Sequence, residues 1–321
     1  MSLNPFRADP QTRSRHAALE QSSGPAVRRA VKQSLATTRR RVADNLGGVL
    51  PAAEVARIGA AHGLTSDELM LLSLGVAQDC ARPPVSNFHV GCVGREAGTG
   101  NLVFGGNLEF VGTHIGNTVH GEGFVFTRAF SRGTAIETIA IDEAHPCAHC
   151  RQYLSEFAAT QSLTLIDPLG HRLKMADLYP WPFDPDYLGQ TGIVPGTVSH
   201  PNLMLPPNDL SATAAEALTR LGQRSYTPYG KTPAALLLML NDGALIGGSA
   251  IESVSFNPTV SPLQAAMIDL FAHGYAAADI AAATIAVADG AQVDYDRHAA
   301  AALVAIAPDV PLQVLHWAPT T

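Results

Sequence analysis

The sequence predicts an α/β protein: two similar α/β/α sandwich domains, a duplication, preceded by an N-terminal helical segment. Three observations carry this. From Pro83 onward, short β-type runs alternate with helical patterns, as in a layered α/β domain. A strand–turn–strand unit ending at Gly106 recurs, ending at Gly248, which indicates a duplication. The length of 321 residues suits about two domains, and 46% hydrophobic against 15% charged content allows real cores and excludes a wholly disordered chain.

In chain order, residues 1–46 carry helical spacing, clearest from Ala26 to Val42, until Gly47-Gly48 stops it. Helices are expected over Ala52–His62 and Ser66–Ala77, the latter opened by Ser66 with Glu68 in its first turn. Phe88–Val93 and Leu102–Asn107 read as strands joined by the turn Ala97-Gly98-Thr99-Gly100. A helix over Val119–Phe130, a strand over Ala135–Ile141, a helix over Ala148–Thr160 and a strand over Leu163–Ile166 follow. Residues 179–210 are rich in Pro, Gly and Asp and read as a linker. Pro233–Gly248 then repeats strand, turn and strand. It leads into Gly247-Gly248-Ser249-Ala250-Ile251-Glu252, where the first copy has Gly105-Gly106-Asn107-Leu108-Glu109. A helix near Pro262 answers the one near His120, and Thr284–Val287 and Leu312–Leu315 supply later strands. The expected division is a helical segment at 1–48, a first domain at 49–189, a linker at 190–210 and a second domain at 211–321.

The net charge of −7 makes a poor polyanion binder, so no nucleic acid polymer is expected as partner. The basic stretch around Arg28, Arg29, Lys32 and Arg39-Arg40-Arg41 reads as a solvated helix face. No apolar run approaches the ~20 residues a membrane helix needs, so no membrane partner is expected. The first 20 residues are polar and charged, unlike a secretory signal, and the expectation is a soluble cytoplasmic protein. In a reducing compartment the close pair Cys147 and Cys150 points to metal rather than a disulfide, while Cys80 and Cys92 read as small buried apolar residues.

One constellation carries chemistry: Val119-His120-Gly121-Glu122, then Pro146-Cys147-Ala148-His149-Cys150. His-x-Glu or Cys-x-x-Cys alone is weak. Together, in this order and with the proline, they match the H-x-E…P-C-x-x-C signature of zinc deaminases. Catalytic zinc takes three protein ligands and keeps one position for water, and His120, Cys147 and Cys150 make three. The cysteines lie one turn apart at a helix start, where the dipole favours thiolates, and Pro146 suits a first-turn position that needs no N–H partner. Glu122, two residues from His120, is placed beside the metal as a proton shuttle. His145 and His149 flank the cysteines without the helix-start position of His120, and are not read as ligands.

Further motifs narrow the class. Pro84-Val85-Ser86-Asn87-Phe88-His89-Val90-Gly91, Gly106-Asn107-Leu108-Glu109-Phe110, and the extension Arg151-Gln152-Tyr153 after Cys150 resemble the cytidine deaminase family. Phe256-Asn257-Pro258-Thr259 and Pro262-Leu263-Gln264 are similar to the C-terminal domain of its long, homodimeric bacterial form. The resemblance spans roughly residues 49–321. It implies one zinc per chain, a homodimer, a nucleoside substrate, and hydrolytic deamination of cytidine and 2′-deoxycytidine in pyrimidine salvage. It further implies that Asn107 and Glu109 bond the ribose hydroxyls, that Phe88 packs on the pyrimidine, that the Gly121 backbone faces the base, and that Phe183 closes over the ligand.

Two departures stand out. The family usually has alanine or valine where Gly121 stands, and glycine loosens a helix start by up to ~1 kcal/mol. The repeat aligns Pro262 with His120 and Gln264 with Glu122, and no Pro-Cys-x-x-Cys follows, so the second domain is expected to be degenerate and non-catalytic. Two other readings stand beside cytidine deamination: a deaminase of another aminopyrimidine nucleoside, and a non-catalytic zinc protein that binds nucleosides. A pure binder has no need of Glu122.

Overall fold

The computed structural model describes residues 6–142 and 145–318. A six-stranded sheet, in the order β1-β3-β2-β4-β5-β6, comprises β1 (Val49–Leu50), β2 (Gly91–Glu96), β3 (Leu102–Gly106), β4 (Ile136–Ile141), β5 (Thr164–Ile166) and β6 (Arg172–Lys174). A four-stranded sheet, in the order β10-β9-β7-β8, comprises β7 (Ala235–Leu240), β8 (Leu245–Ser249), β9 (Ile280–Val287) and β10 (Leu312–His316). The pairs β4–β5 and β9–β10 are parallel and the others antiparallel.

Alternation of side chains along each strand creates two cores per sheet. Cys92 packs in one cluster with Val125, Ile141 and Tyr153, while its neighbour Val93 joins Met70, Leu102 and Phe104 on the other face. The first face is covered by α6 (Gly121–Arg132) and α7 (Ala148–Leu154). The second is covered by α1 (Pro10–Ser22), α2 (Gly24–Thr38), α3 (Ala52–His62), α4 (Ser66–Leu72) and α5 (Leu74–Ala77). A short α8 (Met175–Leu178) closes the sheet edge. In the second sheet, Ala235 and Leu237 meet α9 (Ala212–Arg224). Leu236 and Leu238 meet α10 (Pro262–Ala272) and α11 (Tyr295–Ile306). The fold is the expected pair of α/β sandwiches.

Boundaries moved where local capping won. The helix expected to Val42 ends at Thr38. The one over 66–77 breaks at Ser73, whose Oγ donates to the Leu69 carbonyl at 2.6 Å. The one expected to Thr160 ends at Leu154 and resumes as a 3-10 turn at Ala158–Ser162. Phe88 lies before its strand, because Asn87 has a left-handed φ of 55° and the ladder starts at Gly91. Helices α9 and α11 were not anticipated, although Ser211 caps α9 by accepting from the Ala214 N–H at 3.2 Å.

The duplication is visible residue by residue. β2 and β7 both shift register against their partner at the strand end, at Arg95/Glu96 and Met239/Leu240. Leu108 bridges Val119 as Ile251 bridges Val260. This pairing corrects the sequence alignment of the two copies: Ser261, not Pro262, stands where His120 does, and Leu263, not Gln264, stands where Glu122 does. The sequence alignment slipped by one because the proline marks a helix start without saying which turn position it takes.

Candidate active site

Two helix N-termini converge to build the site. His120 is the N-cap of α6, and Cys147 is the N-cap of α7, its Sγ accepting from the Cys150 N–H at 3.5 Å. Pro146 therefore precedes the cap instead of occupying the first turn, because the thiol itself takes the capping position. Nδ1 of His120 lies 3.4 Å from Sγ of Cys147 and 3.2 Å from Sγ of Cys150, and the three donor atoms sit within 4.8 Å of one another. Cys150 is buried, while His120 and Cys147 are exposed.

The donor set suits zinc. One imidazole nitrogen and two sulfurs are borderline-soft ligands, and three of them leave a corner of a tetrahedron open. The electrostatics favour thiolate: the Cys150 thiol and backbone N–H donate to Cys147 and hold its pKa down to about 4, helped by His120. Cys150, facing that thiolate and buried, is pushed far up, so the pair shares one proton that a metal would displace. Glu122 sits in the first turn of α6, 4% exposed, and burial raises its carboxyl above the ordinary range. Gly121 packs on β2: a Cβ there would lie 3.0 Å from Cβ of Cys92, so this chain's glycine is matched to its neighbour.

The residues expected to hold the sugar have other work as well. Both polar atoms of the Asn107 amide hold the segment before β2, donating to the Phe88 carbonyl at 2.8 Å and accepting from the Val90 N–H at 2.9 Å. Glu109 accepts from the N–H groups of Val85 and Ser86 at 2.9 and 2.8 Å and from Ser86 Oγ at 2.5 Å. Burial raises its pKa, but these donors outweigh it and hold the carboxyl below the ordinary range. Glu109 also lines a cavity of about 630 Å³ with Asn87, His89 and, from the second domain, Phe271 and Ala305. The Phe88 ring is 55% exposed. Phe183 is tied to α7 through Gln152, whose Nε2 donates to its carbonyl at 2.7 Å, and its ring stacks on Tyr187 with centroids 5.4 Å apart.

The second domain supports the first through contacts that sequence reasoning did not specify in detail. Nε2 of Gln264 donates to the carbonyls of Gly116 and Asn117 at 3.3 and 3.2 Å, just before His120. Asn257 offers its carbonyl to His149 at 3.4 Å. Glu156, fully buried behind α7, accepts from Tyr226 and Tyr229 hydroxyls and from the Val254 N–H at 2.8 Å. No short-range spacing announces these contacts.

A sandwich with a His/Cys/Cys set at two helix starts and a buried carboxylate beside it defines the class of zinc deaminases, here with a second sandwich appended. The description "Cytidine and deoxycytidylate deaminase zinc-binding region" matches twice, over residues 65–165 and 180–300. The chain is 34% identical over 259 residues to the cytidine deaminase of Cronobacter sakazakii, covering 80% of this chain and 86% of that one. It is 32% identical over 276 residues to that of Vibrio atlanticus, covering 85% and 91%. Among solved structures, cytidine deaminase from Mycobacterium tuberculosis aligns with 26% identity over 37% of this chain and 98% of its own, at a TM-score of 0.33. The chain belongs to the cytidine deaminase family, in its long two-domain form.

Proposed function

We propose that this protein hydrolyses cytidine and 2′-deoxycytidine to the corresponding uridines and ammonia, with His120, Cys147 and Cys150 holding one zinc and Glu122 moving the proton. The observation that carries the reading is the buried Glu122 carboxylate, two residues after His120 and hydrogen-bonded to Cys150, beside the three converging donors. Zinc, when bound there, supplies a water acidified to a pKa of ~7 and a charge that stabilises the developing alkoxide. Glu122 accepts the proton of the attacking water and delivers it to the ring nitrogen as oxygen bonds to the amidine carbon. The same carboxyl then takes the proton of the newly formed C–OH and carries it to the exocyclic amine, as the C=O forms, that C–N bond breaks and ammonia leaves. Burial suits Glu122 to this, since it raises the carboxyl above its ordinary range and makes it a readier proton acceptor. Glu109 and Asn107 select a nucleoside over a free base, because the ionised Glu109 carboxylate offers its remaining acceptor capacity to sugar hydroxyls that a free base lacks. Burial of a carboxylate beside the donor set disfavours a pure binder, which would lose stability to it for no return.

The test is ultraviolet turnover of cytidine, 2′-deoxycytidine and cytosine, together with Glu122→Gln. The variant should keep its zinc and lose roughly 10²–10⁴-fold in kcat. Retention of most of the wild-type kcat by zinc-loaded Glu122→Gln, or efficient turnover of cytosine by the wild-type protein, would overturn the assignment.

A further inference from the structure

A second donor cluster lies outside the site just described. Nε2 of His145 and Nδ1 of His171 approach the same oxygen, Oδ2 of Asp167, at 2.9 and 2.7 Å. The other oxygen of Asp167 is taken: it accepts from the N–H groups of Leu169 and His171 at 3.0 and 2.9 Å. The β5–β6 turn thus aims a carboxylate that is 2% exposed, and leaves one oxygen for two imidazoles. The three ligand atoms fall within 4.8 Å of one another, as in the His120 set. His145 is 39% exposed, so water reaches the cluster from that side, and Asp167 and His171 line a cavity of about 610 Å³ against α1.

We propose that His145, Asp167 and His171 form a second, structural metal site for a late first-row divalent ion, separate from the zinc of the catalytic set. Two imidazoles and one carboxylate suit Zn²⁺, Co²⁺ or Ni²⁺, whereas Mg²⁺ and Ca²⁺ demand six or more oxygens. Zinc bonds of ~2.0–2.1 Å place neighbouring ligands roughly 3.3 Å apart, so each ring must withdraw by about half an ångström. The catalytic donors are also drawn together, though less, at 3.2 and 3.4 Å where sulfur ligation at ~2.3 Å calls for roughly 3.5 Å. His145 stands two residues before Cys147. An ion here ties the segment that carries Cys147 to the β5–β6 turn.

The experiment uses the full chain with its catalytic zinc in place. It is dialysed against excess Co²⁺ at pH 7.5, and cobalt and zinc are counted per chain alongside the absorption spectrum. The proposal expects one added cobalt, a d–d band without thiolate-to-cobalt charge transfer, and unchanged zinc. His171→Ala and the milder His171→Gln should lose the added cobalt while keeping zinc and cytidine turnover. Absence of saturable cobalt binding in the wild-type protein overturns the proposal. So does a charge-transfer band, which places the ion on cysteine, or equal cobalt loading in both His171 variants.

Discussion

Glu109 and Glu252 occupy the same place in the two copies, and comparing them separates structural from functional demand. Glu252 accepts from the N–H groups of Tyr229 and Gly230, both at 2.9 Å, as Glu109 does from Val85 and Ser86. The clamp is thus a feature of the fold, shared by the copy in which no His/Cys/Cys donor cluster occurs among the described residues. The difference is access. Glu252 is 2% exposed and burial raises its carboxyl, whereas Glu109 opens on a cavity and keeps a lowered one. An ionised, reachable carboxylate is what a sugar hydroxyl needs. Hydrogen bonds to a charged group contribute about 1.5–3 kcal/mol, so Glu109→Ala should cost cytidine kcat/KM roughly tenfold to a hundredfold. The structure adds a second expectation, because the loop carrying Phe88 loses its clamp. Steady-state kinetics with cytidine and a thermal melt check both: unchanged kcat/KM would remove the residue from the binding site.

At the scale of elements, α6 is the beam on which the site hangs, and ion pairs secure its C-terminal half. Arg128, 1% exposed, pairs with Asp269 of α10, and Arg132 pairs with the buried Glu96 of β2 at 2.6 Å. Burial pushes both carboxyls up, yet Arg132 with Asn101 and Thr134 outweighs it at Glu96, and Arg128 with His273 outweighs it at Asp269. Both therefore stand below the ordinary carboxylate range. Such a group contributes stability that is complete above its unfolded pKa of ~4 and is lost as pH falls through the folded value. Unfolding free energy should decline on acidification below about pH 4, and Asp269→Asn should flatten that decline. The same variant leaves Arg128 buried without its counter-ion, a loss of about 3–5 kcal/mol at neutral pH. Urea titrations from roughly pH 3 to 7 measure both effects; an acid limb as steep in the variant as in the wild type would exclude Asp269 as its source.

For the whole molecule, the second domain is a packing partner of the first, and whether packing continues beyond one chain is a question of assembly. Phe124, Leu108 and Val119 of the first domain bury against Ile268 and Ala272 of α10. Val85, Phe88, Val111, Ile115, Trp181, Phe183 and Phe256 remain exposed by 41–83%, several of them in segments that flank the site. Closed two-fold symmetry is the common arrangement of oligomers. A homodimer with two live and two degenerate sandwiches is the expected assembly. Light scattering at micromolar concentration distinguishes a particle near twice 33.7 kDa from an active monomer, which would contradict it. A chain ended at residue 210 should be insoluble or inactive, because it uncovers Phe124 and strips Glu156 of its tyrosine donors.

What the sequence determined by itself is local. His120 and Glu122 span two residues, Cys147 and Cys150 span three, and helix caps and strand alternation act over the same distances. Spacing within one helical turn decides which side chains meet, so the candidate donor set, the carboxylate beside it and the layered fold were all legible. What only the tertiary structure decided involves partners far apart in the chain. Arg128 meets Asp269 across 141 positions, Gln264 reaches Asn117 across 147, and Glu156 meets Val254 across 98. His145, Asp167 and His171 likewise join a loop to a turn on a neighbouring strand. No periodicity links such residues: their approach depends on how the two sheets dock, and that docking rests on the summed burial of apolar faces. The one-residue slip between Pro262 and Ser261 has the same origin, since register is set by the strand partner across the sheet, Ile251, and not by the residues beside it.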